Sequence, residues 1–239
     1  MMETKIQRNS RVGEIVAHDF RTAEIFNKVG IDFCCGGAQL LEDACRSRGL
    51  NTEEIKKNIE EVMTSPEQTF HDFQSWDPVF LSDYIVNIHH RFVRTNVPEL
   101  LNYTRKIASV HGAVHPELHQ VATLFEDLSE ELLQHLNKEE KILFPAIKEA
   151  YSNSQGKAGG LIASAISVMN NEHEQAGTAM DEIRRLTNSY SVPNDACNTY
   201  RVALKLLAQF ENDLHVHVHL ENNILFPKAL QIATKITHS

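Results

Sequence analysis

The chain has 239 residues, of which 42% are hydrophobic and 23% charged, enough apolar mass for one large domain or two modest ones. A formal net charge of −9 argues against nucleic acid or an anionic membrane as the main partner, because both reward a basic surface. The longest nearly uncharged stretch, Ala158 to Asn171, is too short and too polar to span a bilayer, and no signal-peptide pattern opens the chain. Four cysteines, two of them adjacent, do not make a secreted disulfide framework, so the expected setting is the cytoplasm.

In chain order, residues 1–65 read as a small helical domain of short segments with strong punctuation. Thr22–Val29 is predicted as a helix closed by Gly30 in the left-handed capping position. The loop Asp32-Phe33-Cys34-Cys35-Gly36-Gly37 follows, then a helix from about Gln39 to Arg48 ended by Gly49. Asn51 and Glu54 form a capping box for a further helix to about Met63. Residues 66–76 are polar and turn-like and read as a linker.

Residues 77–239 read as four long helices with short connections, an up-down-up-down bundle, so the whole chain is all-α. Asp77-Pro78 opens the first helix as N-cap and first-turn proline, and Pro98 is expected to end it. The second starts after His115-Pro116 and is expected to stop at Pro145. Lys157-Ala158-Gly159-Gly160 introduces the third, which fades near Asn188. Pro193 and Asn194 precede the fourth, expected to stop at Pro227.

Within those helices one pattern occurs twice. His135-x-x-x-Glu139-x-x-Ile142-Leu143-Phe144-Pro145 recurs as His217-x-x-x-Glu221-x-x-Ile224-Leu225-Phe226-Pro227, offset by 82 residues. The second helix carries Leu118, Val121, Phe125, Leu128, Leu132, His135, Glu139 and Ile142 at steps of three and four, the seam that faces a bundle core. The fourth repeats it from Tyr200 to Ile224, and the third places His173 on a seam running from Ile162 to Ile183. In the first helix His89 lies one turn from Ile85, whereas His90 points about 100° away. His89 stands 46 residues before its copy of the motif and His173 stands 44 before the other.

A lone core histidine is more often a hydrogen-bonded core residue than a ligand. Two carboxylates on core seams are another matter, because each costs several kcal/mol unless paired or bound to metal. His89, His135, Glu139, His173, His217 and Glu221 are therefore the expected ligands of a two-metal site. Of the alternating His215, His217 and His219, only His217 stands four residues before Glu221. His111, His115 and His119 are expected to be solvated or capping, and Glu140 and Glu172 to orient ligating imidazoles. Imidazole and carboxylate without thiolate suit iron ahead of manganese or zinc. If each glutamate bridges both metals, an oxo or hydroxo bridge would leave a six-coordinate iron one open position for a small diatomic such as NO or O₂.

This ligand set on a four-helix bundle resembles the hemerythrin-like proteins, and differs from ferritin-like di-iron proteins, which use more glutamate. With the Cys34-Cys35-Gly36-Gly37 loop ahead of it, and with His135-Leu-Asn-Lys-Glu139-Glu140, Glu172-His173-Glu174 and Glu221-Asn222-Asn223, the chain is similar to the Repair of Iron Centres family of di-iron proteins along essentially its whole length. The resemblance implies a cytoplasmic non-haem di-iron stress-response protein, often a homodimer, whose partners are damaged iron–sulfur proteins. It implies cluster repair by donation of iron, without assigning a catalytic residue. A di-iron NO or O₂ reductase and a hemerythrin-like diatomic sensor are the alternatives.

The cysteine pair carries its own chemistry. A disulfide between chain neighbours is strained, so Cys34 and Cys35 are expected to be reactive thiols, suited to reversible redox or transient metal contact near helix starts that lower thiol pKa. The alternative is a pair of small residues packed in a tight turn. Cys45 and Cys197 receive no role.

Overall fold

The computed structural model of the protein describes residues 6–65, 72–152 and 159–237. Residues 66–71 of the expected linker, and Lys157 and Ala158 ahead of the third bundle helix, lie outside the described residues. Among the described residues all regular structure is helical, apart from one isolated antiparallel bridge between Arg11 and Leu40. No helix among them is long and apolar enough to cross a membrane.

The N-terminal unit comprises α1 (Val12–His18), α2 (Ala23–Val29), α3 (Leu41–Ser47) and α4 (Thr52–Thr64). Gly30 closes α2 at φ 69°, the left-handed conformation that costs glycine nothing. The side chain of Asn51 caps α4 by accepting from the amide of Glu53. After a short 3₁₀ turn, Phe73–Ser75, the buried Phe73 packs against Trp76 and Tyr84.

The bundle begins with α5 (Pro78–Ile85), capped by Asp77, whose carboxylate accepts from the amides of Val79 and Phe80. A π-turn, Val86–His90, leads into α6 (Arg91–His111). The antiparallel second helix is α7 (Glu117–Lys138), a π-turn Glu139–Leu143, and α8 (Phe144–Ser152). The third is the uninterrupted α9 (Gly159–Leu186). The fourth is α10 (Asn198–Leu220), a π-turn Glu221–Leu225, and α11 (Phe226–Thr237).

None of the three prolines expected to stop a helix does so. Pro98 lies inside α6 on its exposed face, where water can take the carbonyl that the missing N–H frees. Burial of Val93, Val97, Leu100 and Ile107 on the opposite face outweighs the ~3 kcal/mol cost of an interior proline. Pro145 and Pro227 each follow a π-turn directly. There the amides of Phe144 and Phe226 reach back five residues to the carbonyls of Glu139 and Glu221. The widened turn breaks the regular ladder at that point, so a residue without an N–H fits where a donor is dispensable.

The π-turns also shift the seam. Ile142, expected to face the core, is 49% exposed, while Leu143 and Phe144 are buried in its place. Phe92 is only partly buried, and Val93 takes the core position. The remaining seam residues of α7, α9 and α10 are buried as expected.

One continuous apolar cluster joins the N-terminal unit to the bundle, running from Val12, Phe26, Phe33 and Leu41 to Phe125, Met180 and Phe210. The closest approach is at Gly13 and Gly37, which are joined by a hydrogen bond from the amide of Gly13 to the carbonyl of Gly37 at 2.8 Å and lie under Asn223 of the bundle, whose Oδ1 would stand 2.6 Å from a Cβ on Gly37. A Cβ on Gly37 would fall 2.7 Å from the carbonyl oxygen of Phe33 and 3.0 Å from Cα of Gly13. Gly37→Ala is therefore expected to cost about 1–3 kcal/mol, as overpacking does, read as a lower urea midpoint. Gly160, which has open space around it, gives the opposite sign, with Gly160→Ala gaining up to about 1 kcal/mol.

Candidate metal centre

Each of the four long helices of the bundle contributes to one buried cluster. His90 comes from the end of the first π-turn, His135 from α7, His173 from α9 and His217 from α10. Glu139 and Glu221 are the first residues of the other two π-turns. Their ligating atoms form two groups, His90, Glu139, His217, Glu221 and His135, Glu139, His173, Glu221, with the atoms of each group within 4.8 Å of one another. Both carboxylates belong to both groups. Glu139 Oε2 lies 3.4 Å from His90 Nε2 and 3.3 Å from His135 Nε2. Glu221 lies 3.1 Å from His217 Nε2 through Oε1 and 3.2 Å from His173 Nε2 through Oε2.

His89, expected as a ligand, belongs to neither group. Its Nδ1 lies 3.0 Å from Asp213 Oδ1, and its ring stacks on that of His217 at 5.8 Å. His90 takes the inward position. The cause is the π-turn: an α-helix brings residue i+4 back to one face, whereas the wider turn brings back i+5, and five residues after Ile85 is His90. A signal for this was present in the spacing, because His90 stands 45 residues before His135, nearer than His89 to the 44 that separate His173 from His217.

Three of the four outer nitrogens are held by acceptors, while His217 Nδ1 makes no hydrogen bond among the described residues. His90 Nδ1 meets Glu140 Oε1 at 2.8 Å, and Arg94 braces that carboxylate from 2.9 Å. His135 Nδ1 meets Glu172 Oε2 at 2.8 Å, with Lys138 on the other oxygen. His173 Nδ1 meets the Asn222 side-chain oxygen at 2.9 Å. An acceptor at Nδ1 keeps the proton there and turns the Nε2 lone pair inward. Glu140 and Asn222 follow Glu139 and Glu221 directly, so the repeat extends to the supporting residues, a correspondence that sequence reasoning overlooked for Asn222.

Several inward-facing atoms lack hydrogen-bond partners among the described residues. His90 Nε2, both oxygens of Glu139 and Glu221 Oε2 make no hydrogen bond among the described residues although all are buried. The Nε2 atoms of His135 and His173 approach to 3.0 Å. Two lone pairs at that distance repel unless a proton or a cation lies between them. Burial opposes ionisation of Glu139, as does Glu221, but His135 and His90 outweigh both and hold its carboxyl below the usual range. Burial likewise opposes ionisation of Glu221, yet His217 and His173 hold it well below that range. Burial would lower His135, but Glu139, Glu221 and Glu172 push it up to about 9. The site thus demands positive charge. A cavity of about 180 Å³ reaches His135, His173 and His217 from the side of Lys138 and Glu172.

Residues 82–229 match the hemerythrin HHE cation binding domain, and residues 8–63 match a domain of unknown function, ScdA_N. The chain is 37% identical to the iron-sulfur cluster repair protein YtfE of Pectobacterium atrosepticum, over 94% of this chain and 98% of the relative. It is 36% identical to a probable iron-sulfur cluster repair protein of Haemophilus influenzae, over 87% of this chain and 90% of that one. The chain belongs to the hemerythrin-like iron–sulfur cluster repair family.

In this family member the other histidines divide by face. His215 and His219 lie on the α10 face opposite His217, toward the N-terminal unit. His219 Nδ1 is 3.4 Å from the carbonyl oxygen of Phe33, and burial lowers its pKa to about 4, so the ring is neutral. Of His111, His115 and His119, the last is exposed, as a solvated residue should be, and the other two are half-buried. His111 Nε2 lies 3.2 Å from Cys197 Sγ, and that contact lowers the exposed thiol to about 7. His115 bridges Asp195 and Glu117. All four cysteines are free. Cys34 is buried and its thiol is raised well above the ordinary value by hydrogen bonding to Cys35, by burial and by Asp32, the reverse of the expected lowering. Cys35 is half-buried.

Neighbouring histidines with different geometry give a direct test. His90→Ala is expected to lower the metal content of the purified protein by about half or more, whereas His89→Ala keeps it. Metal analysis of both variants checks this, and the reverse result would return His89 to the site.

Proposed function

We propose that the bundle holds two irons, with Glu139 and Glu221 shared between them, His90 and His217 serving one and His135 and His173 the other. The observation that carries this reading is the sharing itself: two buried carboxylates each stand between two imidazoles, and three of their four oxygens make no hydrogen bond among the described residues. The donor set fits, since mixed imidazole and carboxylate suit iron, and a pair of cations removes both the carboxylate burial cost and the lone-pair repulsion between His135 and His173. When bound, the iron pair supplies exchangeable iron and a place for a diatomic at any position that the protein leaves open.

The function is repair of iron–sulfur clusters damaged by nitrosative or oxidative stress, with iron as the cargo and the damaged protein as the acceptor. The relatives that bear that name align along nearly their full length. The chain's own residues set the conditions for release. Glu172 and Glu140 fix the orientation of His135 and His90, while Lys138 and Arg94 restrain those glutamates from the surface side. The cavity beside His135 and His173 gives solvent and small molecules a way in.

That cavity also favours a second reading, in which NO or O₂ enters and is reduced. The two separate by stoichiometry. As repair factor, the iron-loaded protein reactivates a nitric-oxide-damaged iron–sulfur hydratase, and Glu221→Ala or His135→Ala lowers that reactivation roughly tenfold or more, since even outer-shell losses cost that much in a metal site. Equal reactivation by the variants would sink the repair reading. Consumption of many equivalents of NO per site with an electron donor would favour the reductase.

A further inference from the structure

A second cluster of metal-binding side chains lies outside the bundle centre. The carboxylate of Asp32 organises the loop after α2: Oδ1 accepts from the amides of Cys34 at 2.8 Å and Cys35 at 3.1 Å, and Oδ2 accepts from Gly36 at 2.7 Å. This turn brings both thiols to the carboxylate, with Cys34 Sγ 3.0 Å from Oδ1. Ligating atoms of Asp32, Cys34 and Cys35 lie within 4.8 Å of one another. They open into a cavity of about 310 Å³ between the loop and the bundle. His215 stands outside that group but lines the same cavity from α10, and its Nδ1 is buried without a hydrogen-bond partner among the described residues. Glu174 and Asp181 of α9 line it too, as do Arg48 and Arg184, and Arg184 is occupied by Glu211.

We propose that Cys34, Cys35, Asp32 and His215 form a second metal site, for a thiophilic divalent cation, and that its cargo is ferrous iron passing from the bundle centre. Two thiolates with an imidazole and a carboxylate make a donor set for a borderline-soft cation, softer than the all-nitrogen-and-oxygen set of the bundle. Binding replaces the two thiol protons, which leave to solvent beside the half-buried Cys35, and no oxidation state changes. The unpartnered nitrogen of His215 gains a partner. The second half of the proposal rests on the di-iron reading and on proximity. A Cβ on Gly177 would sit 3.8 Å from Cys35 Sγ, and Gly177 is one turn of α9 beyond His173, about 6 Å along the helix axis. A side chain much larger than glycine there would crowd the thiol, so the helix leaves room for the loop at the point where it approaches the centre.

The test uses the full-length apoprotein titrated with cobalt(II). A sulfur-to-cobalt charge-transfer band in the near ultraviolet reports thiolate ligation, which the bundle residues cannot give. We expect the band at one equivalent in a Glu139→Ala, Glu221→Ala background, where the bundle site is disabled, and in a Cys197→Ser background. Cys34→Ser together with Cys35→Ser should abolish it while keeping the bundle metal, which shows the fold intact, and His215→Ala should weaken cobalt binding roughly tenfold. No band in the bundle-disabled protein, or a band that survives the double cysteine substitution, overturns the site. For the cargo, ferrous iron released from the loaded bundle should slow alkylation of Cys35, and an unchanged alkylation rate overturns that half alone. A failure of the di-iron reading would instead appear as loss of bundle metal with the cobalt band intact.

Discussion

Glu139 and Glu221 are fully buried where helices of a bundle ordinarily pack leucine. An uncompensated carboxylate in such a place costs several kcal/mol, and a domain has only about 5–15 kcal/mol of net stability. Two of them side by side would consume most of it, so the surrounding residues are constrained to supply positive charge or admit it. The four imidazoles around them do the first through protons and the second through metal. With protons, the site is a hydrogen-bonded core in which His135 stays charged well above neutrality. With cations, the same lone pairs become ligands. Geometry favours the cations, because several inward-facing atoms have no hydrogen bond and two Nε2 atoms face each other.

Six large polar side chains meet at one level of the bundle, and π-turns in the helices carry three of them there. Three of the four long helices carry one, and each begins or ends on a residue of the cluster. The uninterrupted α9 contributes a single histidine. A π-turn rotates everything beyond it by about one residue's phase. That rotation selects His90 over His89, moves the core seam from Ile142 to Leu143, and makes Pro145 and Pro227 harmless where a regular helix would break.

These turns explain what the sequence could and could not reveal. The bundle was legible because apolar residues recur at three-and-four spacing through α7, α9 and α10, and because a duplicated His-x-x-x-Glu on that spacing singles out residues a core would not otherwise choose. His135, Glu139, His173, His217 and Glu221 come together where that pattern put them. The first helix was misread at the point where its period changes, since extrapolating α-helical phase through a π-turn errs by one residue. The prolines were misread for the same reason. Asn222 and Asp213 were invisible because their partners come from other helices, though the position after each shared glutamate repeats as Glu140 and Asn222. The raised Cys34 thiol follows from its hydrogen bond with Cys35 and from burial under the bundle, neither of which a loop motif alone reveals.

The run His215-Val216-His217-Val218-His219 shows how one segment serves two surfaces. On a helix, His215 and His219 are one turn apart and share a face, and His217 lies on the other side. The inner face supplies the centre, while the outer face packs under Phe33 and the thiol loop. Asn223, one further turn along, donates to the carbonyls of Phe33 and Cys34 at 3.3 and 3.2 Å. The loop that carries the cysteines is therefore hydrogen-bonded to the helical segment that carries His217 and Glu221. Because a single apolar core runs through both parts, the thiols hold a fixed position relative to the centre. Passage of a cation between them would then depend on side-chain movement along α9 and α10, and closure of one domain upon another would not be required.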